Sequence, residues 1–189
     1  RTGRERRRRP ILTFHHLSDF RILDEESPLR SEWADSCDPP VPSAFRPQET
    51  LSVQAAEALI AAANAHRVSP ATGAPATFAI HTGNAADNAQ YNELRWFLDL
   101  IDGRPVYPDS GAIGYQGVQT APADPSYGDS LTLAQRAFQP EGLAYPWYAV
   151  LGNRDVLIQG NVPPTEATQR FVSGAQKLMA LGPDALAEA

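Results

Sequence analysis

Three short runs rich in β-branched and aromatic residues punctuate this chain, and each stops on a cluster of Gly, Asp or Asn. Residues 11–18, 77–82 and 146–151 read as strands by that composition. Between the first two, Pro47, Gln48 and Glu49 suit the start of a helix. Leu51, Ala55, Leu59 and Ala62 follow at helical spacing and predict an amphipathic helix over 48–66. After the second strand, Asp87 with Gln90 three residues on predicts a helix N-terminal cap. Leu94, Phe97, Leu98 and Ile101 then mark one helix face, Trp96 and Phe97 read as core, and Glu93 and Asp99 as a solvated face. A short helix over 131–138 and a last one opened by Pro163, Pro164 and Thr165 complete the pattern, the last with Phe171, Ala175 and Leu178 on one face. Strands alternating with helices place the chain in the α/β class with a largely parallel sheet. Ligands of such sheets gather at the carboxyl ends of the strands, so the polar residues directly after each strand are the ones to read.

Composition narrows the classes. Hydrophobic residues are 42% and charged residues 20% of 189, which excludes a coiled coil and a wholly disordered chain. No run approaches the ~18–20 apolar residues that span a bilayer, so no membrane span is expected. One cysteine, Cys37, excludes an internal disulfide framework and a cysteine-rich zinc site, and it reads as inert. The net charge of −6 gives no reason to expect nucleic acid as a partner. That charge is uneven: residues 1–10 hold six arginines against Glu5, for +5, and leave −11 on the rest. An arm-mediated nucleic-acid binder is therefore a distant third reading, and residues 1–10 read as a solvated basic arm before a domain over 11–189. Residues 102–130, with five glycines and four prolines, read as a long irregular loop.

The three strand ends carry His16, Ser18, Asp19 and Arg21; then Thr82, Gly83, Asn84, Asp87 and Asn88; then Gly152, Asn153, Arg154 and Asp155. In order and context they resemble the calcineurin-like metallophosphoesterases, which carry Asp-x-His, Gly-Asp-x-x-Asp and Gly-Asn-His-Asp/Glu at successive strand ends. Asp24-Glu-Glu-Ser-Pro28, Phe45-Arg-Pro-Gln-Glu49, residues 88–95 and 146–150 are similar to an exported bacterial branch of that superfamily. The resemblance spans roughly residues 6–180. It implies an αββα sandwich, phosphoester hydrolysis, an extracytoplasmic location and a dinuclear divalent centre of Mn, Fe or Zn. Family members run on to further histidine ligands, and the chain starts without methionine, so it is expected to be the front half of such a domain.

Carried over residue by residue, Asp19 matches a metal ligand of the first motif and Asn153 the ligand of the third. Asp87 matches the second aspartate of the middle motif, a turn or capping residue in support of the site. Three positions depart. Arg21 stands where the first histidine ligand belongs, and guanidinium has no lone pair for a metal. Asn84 replaces the metal-bridging carboxylate. Arg154 replaces the histidine that meets the phosphate and protonates the leaving group, and it stays charged near neutral pH. Two His-to-Arg changes and one Asp-to-Asn change make the site three charges more positive than the family pattern. Such a site repels metal and attracts phosphate, which arginine forks match.

His16 and His81 are second-line candidates beside the same cleft, His15 alternates with His16, and His66 reads as a surface residue at a helix end. Two functions remain: a phosphoester hydrolase, impaired in this chain, or a non-catalytic phosphate- or phosphoester-binding domain.

Overall fold

A computed structural model describes residues 3, 9–30, 33–34, 47–116, 130–174 and 176–177. Cys37, most of the basic arm, residues 117–129 of the expected loop, Ala175 and Leu178 lie outside the described residues.

The chain is α/β. Three strands, β1 (His15–Leu17), β2 (Ala79–His81) and β3 (Trp147–Ala149), form a parallel sheet in the order β1-β2-β3. His15 pairs with Ala79, which pairs in turn with Trp147, and Leu17 pairs with His81, which pairs in turn with Ala149. Each regular ladder is shorter than the apolar run that announced it, although backbone hydrogen bonds such as Thr77 N to Thr13 O and Thr82 N to Leu17 O continue past its ends.

The helices are α1 (Ser52–Ala65), α2 (Tyr91–Asp102), α3 (Ser130–Ala134) and α4 (Glu166–Val172). A 3-10 turn over Pro47–Leu51 leads into α1. The buried face of α1 is Val53, Ala56, Ile60 and Ala63, whereas Leu51 and Leu59 are exposed. The anticipated stripe of Leu51, Ala55, Leu59 and Ala62 is thus displaced by about one residue around the helix. An alanine-rich helix offers several apolar stripes, and packing selects the one carrying β-branched Val53 and Ile60.

Helix α2 corrects two expectations. Its cap is Gln90, not Asp87: Gln90 and Glu93 form a capping box, and Gly103 closes the helix in the left-handed region at φ 70°. Glu93 and Asp99 are buried rather than solvated. Glu93 accepts from the backbone N–H of Asp24, Asn88 and Gln90, while Asp99 takes a two-point bond from Arg95 one turn earlier. Trp96 and Phe97 do lie in the core. In α4, capped by Thr165, Phe171 is exposed rather than packed.

One face of the sheet packs on α1 and α2 through Leu17, Ala79, Ile60, Phe97 and Leu100. The other face carries Phe14 stacked on Phe78, Phe78 edge-on to Tyr148, and Val150; Phe14, Tyr148 and Val150 are exposed. Residues 103–116 are irregular apart from a bridge between Val106 and Phe138. No helix among the described residues is long and apolar enough to cross a membrane.

Candidate functional site

The chain segments leaving β1 and β2 stay zipped beyond the sheet. Asp19 N donates to Gly83 O, Arg21 N to Asn84 O and Ile22 N to Ala85 O, at 2.8–3.1 Å. This extension forces sharp turns, and Asp19, Arg21 and Asn84 all sit at positive φ, 47–59°. Asp and Asn tolerate that region; Arg21 does so at a cost of about 1 kcal/mol or more. The β3 exit presses directly on the β2 exit. A Cβ on Gly152 would stand 2.3 Å from Asn84 N, and one on Gly83 would stand 2.5 Å from Gly152 Cα, so only glycine permits this approach.

Asn84 is the hub. Its Nδ2 donates to Asp19 Oδ1 at 2.8 Å, and its Oδ1 accepts from Arg154 N at 3.0 Å. Ser18 donates to the other Asp19 oxygen at 2.5 Å, and Arg21 lies 3.5 Å from Oδ1. The Asn84 bond first, then Ser18 and the Arg21 charge, hold the Asp19 carboxyl below the usual range. Arg154 extends to Asp87, Nη1 to Oδ1 at 3.0 Å. Asp87 therefore serves as an anchor for Arg154, which is why it does not cap α2.

Asp155 closes the third strand-end cluster, where the sequence alone assigns it no role. Its carboxylate accepts from three backbone N–H groups: Asn84 and Ala86 at 2.8 Å and Gly152 at 2.7 Å. It clips the loops after β2 and β3 together and fixes Asn84 between them. Two local signals point to it: the acidic fourth position of the third motif, and the Gly152-to-Asp155 spacing, three residues apart, which suits a side chain folding back on its own turn.

The remaining candidates fall elsewhere. Asn153 is exposed and, among the described residues, has no hydrogen-bond partner. His16 is exposed on the open sheet face, where Nε2 meets Thr82 Oγ1 at 2.8 Å. His81 points into the core between Phe20 and Phe97, 4.9 and 4.8 Å from their ring centres. Burial lowers its pKa against the opposing pull of Asp155 and Asp19. Gly83 N points at its Nδ1, and Nε2 is buried without a hydrogen-bond partner among the described residues. Among the described residues neither histidine hydrogen-bonds to Asp19. His66 sits exposed at the C-cap of α1, as its position suggested.

The donor set fits a dinuclear metal centre poorly. Asp19 supplies one carboxylate, the Asn84 oxygen is engaged by Arg154 N, and Arg21 and Arg154 have nothing to give a cation. Among the described residues no group of three His, Cys, Asp or Glu side chains converges in metal-binding geometry. What the site offers is an ionised carboxylate with the Arg21 guanidinium 3.5 Å away, joined through Asn84 to the backbone of Arg154, whose own guanidinium is held by Asp87. No family model matches the sequence, no curated protein matches it, and no solved structure matches it.

Proposed function

We propose that this chain is a metallophosphoesterase-like α/β domain, of the αββα type, whose strand-end site holds a phosphate or phosphoester between Arg21 and Arg154 without turning it over. The observation that carries this reading is the Asn84 amide. It bridges Asp19 and the backbone of Arg154, in the place where the resemblance calls for a metal-bridging carboxylate. A neutral amide there removes the charge that would gather two divalent ions, while the two arginines remain beside it. Each guanidinium has five donors; Arg154 gives one to Asp87 and Arg21 makes only 3.5 Å contacts to Asp19. The unused donors can take phosphate oxygens, each charge-assisted bond contributing ~1.5–3 kcal/mol.

A second reading, metal-dependent phosphoester hydrolysis, is favoured by Asp19 itself, an ionised carboxylate open to solvent that could take one metal from outside. Mn, Fe or Zn would in that case activate a water for attack on phosphorus. Calorimetry with inorganic phosphate in the presence of a chelator separates the two. Phosphate should bind without metal, and Arg21→Gln and Arg154→Gln should each weaken it about tenfold. Metal-dependent turnover of an aryl phosphate by the unmodified chain would favour the hydrolase, and absence of phosphate binding would remove the first reading.

A further inference from the structure

The Asp19 carboxylate sets a condition on any anion held at the strand ends, and the condition follows from its hydrogen bonds. Oδ1 accepts from Asn84 Nδ2 at 2.8 Å and faces the Arg21 guanidinium at 3.5 Å. Oδ2 accepts from Ser18 Oγ at 2.5 Å and, among the described residues, from nothing else. A carboxylate accepts only, with about two sites on each oxygen. One acceptor site on Oδ2 therefore stays open. The Asp19 side chain is 48% exposed and that of Arg21 45%, so a ligand from solvent can reach both.

Formal charge alone does not favour an anion here. Arg21 faces Asp19, Arg154 is held by Asp87 at 3.0 Å, and Asp155 sets a further carboxylate between the loops. Two guanidinium groups are thus opposed by three carboxylates. An acceptor-only anion on the free donors of Arg21 sits within a few ångströms of Asp19, because the guanidinium itself lies 3.5 Å from Oδ1. Like charges at that range cost affinity. An anion that keeps an O–H escapes the conflict. Its proton donates to the open site on Oδ2 while its other oxygens accept from Arg21. Hydrogen bonds from O–H to an ionised oxygen are short and among the strong ones.

We infer that the strand-end site selects a protonated oxyanion, hydrogen phosphate in preference to sulfate, with Asp19 as the residue that reads the proton. This rests on the phosphate reading above and narrows it. The ligand is free phosphate, or a phosphoester only in its singly protonated form. Asn84 is the positioning residue: its amide nitrogen holds Oδ1 and its amide oxygen holds Arg154 N, which fixes Asp19 without occupying Oδ2.

The test is calorimetry on the full chain with three anions and a chelator. At about pH 8 hydrogen phosphate and sulfate are both tetrahedral dianions that differ by one proton, and phenyl phosphate, a monoester with a second pKa of ~6, has no proton left. A single pH keeps every protein group in the same state for all three. Hydrogen phosphate should bind the unmodified chain at least about tenfold more tightly than sulfate or phenyl phosphate. Asp19→Asn removes the charge and supplies a donor, and asparagine accepts the φ of 57° as aspartate does. In that variant sulfate should gain at least about tenfold, and the preference should shrink to within about threefold. The comparison on the unmodified chain needs no variant to fold. Equal or tighter binding of sulfate there would overturn the inference and leave the phosphate reading standing. So would an unchanged preference in folded Asp19→Asn. Absence of binding by all three anions would instead remove the phosphate reading, and this inference with it.

Discussion

Asp19 and Glu25 are six positions apart along one loop and live in opposite chemistry. Asp19 stands at the strand ends, half exposed, with an amide, a hydroxyl and a guanidinium donating to it, and its pKa is lowered. Glu25 belongs to a buried web with Asp24 and Glu93, has no ion pair among the described residues, and is raised to about 8. The same functional group is thus held ionised in one place by donors and neutralised in the other by burial. The strand-end region is built to display charge, whereas the web uses carboxyl groups as backbone acceptors that tie a loop to α2.

If that division is right, the largest loss follows from cutting the web. Glu93 satisfies the backbone N–H groups of Asp24, Asn88 and Gln90, and Glu93→Ala would strand these donors in the interior. The expected cost is about 3–5 kcal/mol, read from urea unfolding. A loss below about 1 kcal/mol would mean the web is wetter than its burial implies.

Next comes the clip at the strand ends. Asp155→Ala frees three backbone donors at a partly exposed site and should cost about 2–3 kcal/mol. Because it releases Asn84, it should also weaken phosphate binding. Undiminished phosphate binding by folded Asp155→Ala would show that the clip does not position Asn84.

The pH dependence of stability distinguishes the regions by sign. Glu25 and Glu93 have folded pKa values of about 8 and about 7, above the ordinary 4.5. The folded state therefore holds protons that the unfolded chain has released, and stability falls as pH rises from about 5 to about 8. At ~1.4 kcal/mol per pKa unit for each group the fall should amount to several kcal/mol, and Glu25→Gln should remove about half of it. Asp19 acts in the opposite sense, losing its small contribution only as pH falls below the ordinary 3.8. A melting temperature that rises from pH 5 to pH 8 would reverse the assignment. At the bottom of the scale, Arg170 pairs with Glu166 on the exposed face of α4, and Arg170→Ala should change stability by less than about 0.5 kcal/mol.

The legible part of this molecule was the part written locally. β-Branched and aromatic runs announced all three strands, and the residues after them were expected to bring Asp19, Asn84 and Asn153 together; Asp19 and Asn84 meet, and it is the Arg154 backbone rather than the Asn153 side chain that joins them. The capping box of α2 was also present as Gln90 and Glu93, yet Asp87, an equally good cap by type, drew the boundary three residues early. What removed Asp87 from that role was Arg154, sixty-seven residues away. Glu93 and Asp99 were misplaced for a related reason. A charged residue on an amphipathic helix is assigned to water unless something tells the reader that a distant loop needs its oxygens. Nor could local pattern place Asn153 outward and Asp155 inward, since the contacts that decide it come from the β2 exit.

The most direct measurement is a count of free Mn(II) by electron paramagnetic resonance as the ion is titrated into the unmodified chain and into Asn84→Asp. With a neutral amide at the hub, the ion should stay free in the presence of the unmodified chain, and the restored carboxylate should lower the free fraction. Uptake of a pair of tightly held ions by the unmodified chain would contradict a metal-independent phosphate site.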